Sequence, residues 1–390
     1  MRALLAAAIE CLIGLTAHPG LGQIPPYLWQ QQGGLAQSPG ANFEGWLVYD
    51  NWRGVSLYIN RDYAPETWEW DGAAWTPFPA PAIAPGWSCG MVFDNQRGVA
   101  VLYCEVASLQ PGTTWEWNGT AWRLASANSP TSRNGEAMAY DSDRGRTLLF
   151  GGAFFLQGPE PAWIWEWDGT QWRVFTTPGP PRLVGCSMAY DAERHLAILF
   201  GGRAGIGNSD PLSNQTWGWN GTNWTLLSTS GASPREGHMM IYEPTRKRVL
   251  LFGGVDAADN ILGDLWEWIG AKWVLSMPSG PGRYNAGMAY DTQRQSAWLF
   301  GGRTHDANWN WYSLQDTWRL RSRALWVDYA YAGLETGDYT TPFRTLGEAA
   351  NAAAEGVTIK IKPGTGIEPI TIKKWLNLQA PLGPVTIQGK

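Results

Sequence analysis

Short apolar runs alternate with polar turn residues from Gly45 to Leu320, and the whole pattern recurs six times. Each copy opens with an apolar run that ends in an acid, at Asp50, Asp94, Asp141, Asp191, Glu243 and Asp291. Three residues beyond each acid stands an arginine: Arg53, Arg97, Arg144, Arg194, Arg246 and Arg294. Acid and arginine at i and i+3 between two apolar runs predict a tight hairpin turn whose ends pair electrostatically, a structural column. A second run closes on a double glycine at Gly151-Gly152, Gly201-Gly202, Gly253-Gly254 and Gly301-Gly302. The third carries Trp-x-Trp, at Trp68/Trp70, Trp115/Trp117, Trp165/Trp167, Trp217/Trp219 and Trp266/Trp268, with Trp318/Leu320 as a degenerate sixth. A period of two puts both rings on one face. Asp-Gly or Asn-Gly follows, as at Asp71-Gly72 and Asn118-Gly119, signalling a second hairpin. The fourth run begins with Trp75, Trp122, Trp172, Trp224 or Trp273.

The acids are 44, 47, 50, 52 and 48 residues apart, a period that indicates propeller blades of four strands each. A ring of six blades must close, or it leaves strand edges and apolar faces wet. The sixth copy has no clear glycine turn and fourth-strand tryptophan, while Trp29 stands alone before the first copy. Trp29 is therefore expected to supply the missing strand; the alternative is that Trp326 completes the blade locally.

The double glycines and spaced aromatics resemble the Kelch repeat family across about 290 residues. Blades one and two depart from that pattern, with Ile59-Asn60 and Cys104-Glu105 where glycines should stand. Residues 326–390 change register entirely. Trp326-Val-Asp328, Pro342-Phe-Arg-Thr-Leu346, Ile361-Lys-Pro-Gly364 and Glu368-Pro369 resemble the start of a right-handed parallel β-helix of the pectate-lyase-like superfamily. One short helix is expected there, with Pro342 at its first position and a stop at Gly356. Strands are expected at Val357–Ile361, Ile370–Ile372 and Val385–Ile387. The fold expected is thus all-β: residues 1–22 a cleaved secretory leader, 23–325 a six-bladed propeller closed by an N-terminal strand, and 326–390 an incomplete β-helix cap.

Net charge is −5 with only 16% charged residues, which gives no electrostatic case for nucleic acid. Arg2 before an apolar run from Ala3 to Ala17 reads as an export signal, too short for a membrane span. Export permits disulfides, and pairing about the turn of blade two brings Cys89 opposite position 103 or 104, so Cys89–Cys104 is the candidate bridge. Cys186 is expected as a buried free thiol.

Strand direction puts the acid-arginine turns on one face of the disc and the long, variable loops on the other. On the loop face fall Arg133, Arg182, Arg235 and Arg283, and a loop holding Arg303, His305, Asp306, Trp309, Trp311 and Tyr312. Exposed aromatics with polar neighbours are what a glycan or peptide site needs. Asp256, Asp259 and Asp264 make a weak calcium candidate. Three functions are expected in order: a secreted, non-catalytic propeller binding an extracellular glycan or protein; a polysaccharide lyase or hydrolase acting on the β-helix; and the copper oxidase chemistry that likeness to the galactose oxidase fold implies. No complete catalytic constellation supports the last two.

Overall fold

A computed structural model describes residues 25–41, 44–60, 66–78, 89–105, 110–131, 133–153, 163–205, 207, 209–333, 340–353, 357–368, 372, 376–382 and 384–388. The expected leader and most of the strand expected at Ile370–Ile372 lie outside these. The described chain is β-structure apart from one short helix, and it divides into a unit spanning Trp29–Leu320 and a second formed by the residues on either side.

Residues 29–320 form a six-bladed propeller. Each blade is a four-stranded antiparallel sheet, for example Asn134–Asp141, Arg146–Ala153, Ile164–Trp167 and Trp172–Phe175 in blade three. In blade six, Gly287–Asp291, Ser296–Phe300 and Thr317–Ser322 are completed by Tyr27–Gln32, so Trp29 closes the ring. Trp326 instead lies in Ala324–Val327, which pairs parallel with Thr358–Ile361.

The acid columns fold as expected. Asp50, Asp94 and Asp141 each cap their turn by accepting from the backbone N–H groups two and three residues on. Each also holds its arginine at 2.6–2.7 Å. Asp191–Arg194 and Asp291–Arg294 pair likewise, at 2.7 and 2.9 Å. In blade five Arg246 accompanies Glu243 but reaches Glu267 at 3.0 Å.

The tryptophan columns are a hydrogen-bonding system as well as packing. The first indole of Trp-x-Trp donates to the residue two before it, as Trp68 to Glu66 and Trp266 to Asp264. The second donates to the glutamate of the preceding blade's third strand: Trp117 to Glu69, Trp167 to Glu116, Trp219 to Glu166. The fourth-strand indole donates to the threonine immediately before the first tryptophan of the preceding blade's third strand: Trp122 to Thr67, Trp172 to Thr114, Trp273 to Thr216, and Trp75 to Thr317. Five indoles, Trp29, Trp70, Trp165, Trp224 and Trp268, are buried without a partner. In every one the acceptor position holds a residue that cannot serve: Leu265, Arg319, Trp163, Ile164 and Gly218 respectively. Trp29 obeys the same rule as its five counterparts, which is independent support for its place in blade six.

A prediction follows. Gly218→Glu supplies the missing acceptor for Trp268, and a Cβ at this position meets only side-chain atoms of Leu227 and Leu196, at 3.0–3.5 Å. The variant is expected to gain about 1 kcal/mol in urea unfolding, the net worth of one such bond.

The double glycines let neighbouring blades touch backbone to backbone. Both residues of each pair have positive φ. The second glycine's N–H donates to the next blade's lead-in carbonyl, Gly202 to Arg235 at 2.8 Å and Gly254 to Arg283 at 2.9 Å. A Cβ on Gly201 or Gly253 would lie 2.5–2.7 Å from those same carbonyls. Cys89 and Cys104 face each other across blade two and form a disulfide.

In the other unit, Ala324–Val327, Thr358–Ile361 and Asn377–Gln379 form one parallel sheet, and Gly364–Ile367 with Val385–Gln388 form another. Leu325, Val327, Phe343, Leu346, Ile359 and Ile361 build its core. The helix, Leu346–Ala352, starts later than Pro342 predicts. Thr345 and Glu348 make a capping box, and the Glu368 carboxylate accepts from the Leu346 and Gly347 N–H groups, so the orphan donors of the first turn are satisfied there. Pro342 precedes a residue, Phe343, that pairs with Val327. Among the described residues no helix is long and apolar enough to cross a membrane.

Candidate functional site

The first strands of all six blades surround an axial cavity of about 520 Å³. Three residues before each turn acid, the wall is Leu47, Met91, Met138, Met188, Met240 and Met288, five thioethers in one column. Methionine's polarisable, unbranched side chain suits a wall that must fill irregular gaps. Three carboxylates line the cavity, Glu44, Glu136 and Glu236, one from each of blades one, three and five. Neither lysine nor arginine is among its described lining residues.

A backbone collar encircles part of this axis. Gly185 N–H donates to Gly135, Gly237 to Gly185, and Asn285 to Gly237, at 2.8–2.9 Å. All four residues have positive φ, between 55° and 75°. The left-handed conformation turns each N–H toward the preceding blade, and only Asn285 does this with a side chain attached.

The loop of blade six runs from this cavity to the surface. Arg303–His305 and Trp311–Ser313 form a two-stranded ribbon, with His305 opposite Trp311. Asp306 ties its tip, accepting from the Asn308 and Asn310 backbone and from the Asn310 amide at 2.8–3.0 Å. Trp309 takes the left-handed position, φ 63°. The His305 ring stacks on Trp309 at 4.4 Å and meets Trp311 edge-on at 4.7 Å. Trp311 then meets Tyr284 at 5.5 Å, and Tyr284 lines the cavity. Arg303 lies over Trp311 and donates to the Tyr284 hydroxyl at 3.2 Å. Burial raises the Tyr284 phenol's pKa, with Glu44 and Glu236 adding to it and Arg303 opposing. Trp309 and Tyr312 are about half exposed, so the stripe of rings is open to solvent.

Four arginines expected on this face divide differently. Arg235 and Arg283 are fully buried and bond their own blade's double glycine and an aspartate: Arg235 to Gly253 and Asp264, Arg283 to Gly301 and Asp316. Arg133 similarly donates to Gly151 at 3.1 Å. Burial alone would raise the Asp264 and Asp316 carboxyls, but the guanidinium bonds outweigh it and hold both below the ordinary range. Arg182 is displaced by one residue. Counting eight back from the turn acid gives Arg133, Arg235 and Arg283 but Leu183 in blade four, and the aspartate's counterpart there is Gln215. Charge and countercharge are absent together, as the cost of an unpaired buried ion requires.

The calcium candidates are also engaged. Asp256 caps its own turn through Ala258 and Asn260, Asp259 sits at the left-handed position of that turn, and Asp264 serves Arg235. Asp256 to Asn260 and Asp306 to Asn310 are the same turn in adjacent blades. His305 Nε2 lies 3.3 Å from the Asp259 carbonyl oxygen, linking the two tips.

The structure titled "Structure of YjhT" superposes with a TM-score of 0.53 at 14% identity, over 73% of this chain and 95% of that one. The likeness is one of fold. No family model matches the chain, and no curated protein matches it. The site therefore rests on its own geometry.

The sequence placed the aromatic loop and missed the cavity that it leads to. The signal was present in Met138-Ala-Tyr-Asp141, Met188-Ala-Tyr-Asp191 and Met288-Ala-Tyr-Asp291: a methionine column on an innermost strand lines the axis.

Proposed function

We propose that the protein is a secreted, non-catalytic binding propeller of the Kelch type that recognises a carbohydrate through its loop face. The observation that carries this reading is the open run of rings Trp309, His305, Trp311 and Tyr284, which descends from the loop tip into the axial cavity. Flat rings stack against the apolar faces of sugars, while Asp306, Asn310, Arg303 and the cavity carboxylates offer polar partners to hydroxyls. The parallel strands after Leu320 support reading that unit as the start of a β-helix, a second module of the same chain.

The test is binding of the full chain to a glycan array, with a Trp309→Ala/Trp311→Ala variant alongside. Those rings are on an exposed ribbon, so the variant is expected to keep its circular dichroism and melting temperature. Affinity for the captured glycan is expected to fall at least about tenfold, ~1.4 kcal/mol. Undiminished binding by the folded variant would remove the loop from the site.

A further inference from the structure

We infer that the folded protein modifies itself at two hairpin turns: Asn118 and Asn220 each lose their side-chain amide to attack by the backbone nitrogen of the glycine that follows.

The chain holds three Asn-Gly pairs, beginning at Asn118, Asn134 and Asn220, and two of them are built for this reaction. The Asn118 Oδ1 accepts from the Thr120 N–H, the Thr120 hydroxyl and the Ala121 N–H at 2.8–3.0 Å. The Asn220 Oδ1 accepts from the Thr222 N–H, the Thr222 hydroxyl and the Asn223 N–H at 2.8–2.9 Å. Both asparagines and both threonines are exposed, so water reaches each turn. Asn134 differs. It lies in the first strand of blade three, paired with Ala153, and its Oδ1 has no such donors among the described residues.

Three donors on one oxygen are what the reaction needs. As the Gly119 nitrogen bonds to the Asn118 Cγ and loses its proton, negative charge gathers on Oδ1, where donors already in place stabilise it. The Cγ–Nδ2 bond then breaks and the amide leaves as ammonia, closing a succinimide ring. Water opens that ring at either carbonyl, giving aspartate or isoaspartate. In both, one amide and one water have become one carboxylate and one ammonium.

Other blades show that the turn favours the charged product. Asp71 and Asp168 hold the same position in blades one and three. Asp168 accepts from the Thr170 N–H, the Thr170 hydroxyl and the Gln171 N–H at 2.6–2.9 Å. Burial acts to raise the Asp168 carboxyl, yet these bonds outweigh it and hold its pKa down at about 2. The same donor set in blades two and four serves the oxyanion on the way and the aspartate at the end. An arginine of the preceding blade also lies beside each turn: Arg53 donates to the Gly119 carbonyl at 3.3 Å, and Arg144 lies against Gly221. These turns share the face of the acid-arginine hairpins, so the modification proceeds whatever the loop face binds.

The experiment is incubation of the purified full chain in mildly alkaline heavy-oxygen water, folded and in urea, with peptide mass mapping at intervals. In the folded protein, heavy oxygen is expected to enter at Asn118 and Asn220 at least about tenfold faster than at Asn134, where no donors await the oxyanion. In urea the three rates should converge. Thr120→Val removes one donor and is expected to slow the reaction at Asn118 about fivefold, with Asn220 of the same molecules as the reference. Equal rates at the three sites of the folded protein, a ranking that persists in urea, or a Thr120 variant that leaves Asn118 as fast or faster would overturn the inference. So would labelling confined to the urea sample. If the variant does not fold, the ranking in the unaltered protein and its loss in urea still decide.

Discussion

Replacing Arg235 by methionine is expected to destabilise the propeller by about 3–5 kcal/mol, the range for removing one partner of a buried ion pair. The side chain is 0% exposed and makes bonds in three directions, to the Ser233 and Gly253 carbonyls and to both oxygens of Asp264. Methionine fills much of the volume but leaves the Asp264 carboxylate without its countercharge and the Gly253 carbonyl without a donor. Blade four shows how the chain manages without the pair, since Leu183 and Gln215 replace both members. The double variant Arg235→Leu/Asp264→Gln is accordingly expected to recover most of the loss. Urea unfolding of the three proteins measures this directly. A single Arg235 variant within about 0.5 kcal/mol of the starting protein would show that the buried pair carries little of the stability.

The contrast between Arg235 and Arg182 also marks what the sequence could and could not disclose. Six acids, six arginines and three tryptophan columns made the blades legible, because a repeat averages away the accidents of any one copy. The solitary Trp29 before the first copy was enough to anticipate a closing strand, and the partnerless Trp29 indole N–H, with Leu265 at its acceptor position, agrees with it. Arg182 does not share the position of Arg133, Arg235 and Arg283, because the segment ahead of the first strand of blade four is one residue out of step with the others, and loops ahead of strands hide such slips. The site was legible only in part. Trp309, Trp311 and His305 stood out as aromatics outside the columns, whereas Glu44, Glu136 and Glu236 occupy three different positions relative to the turn acid, so no column aligns them. They meet only because the innermost strands converge on one axis. Pro342 misled for a local reason: Thr345 and Glu348 form a stronger start signal than proline, and Phe343 is taken by a strand pairing.

The second large effect expected is a loss of stability in mild acid that traces to His238. Its imidazole is buried against Phe200, 5.5 Å between ring centroids, and packs over Gly201. Burial, aided by the Arg235 charge, sets its folded pKa at about 3, whereas an unfolded histidine titrates near 6.5. As pH falls below that unfolded value the unfolded chain takes up the proton first, so stability is complete above about pH 6.5 and is lost progressively as pH falls toward 3. At roughly 1.4 kcal/mol per unit, the loss between pH 6.5 and pH 5 is about 2 kcal/mol. His195 cannot produce this loss. Its bond to Asp143 raises its pKa, so any stability it contributes is present at low pH and disappears as pH rises past the folded value. The decisive comparison is His238→Met, which extends the methionine wall without a titrating group. The difference in unfolding free energy between the two proteins, measured from pH 7 to pH 5, should shift by about 2 kcal/mol in favour of the variant. Parallel curves would mean that the unfolded state does not charge this histidine preferentially, and that the acid sensitivity of the disc lies instead in its paired carboxylates.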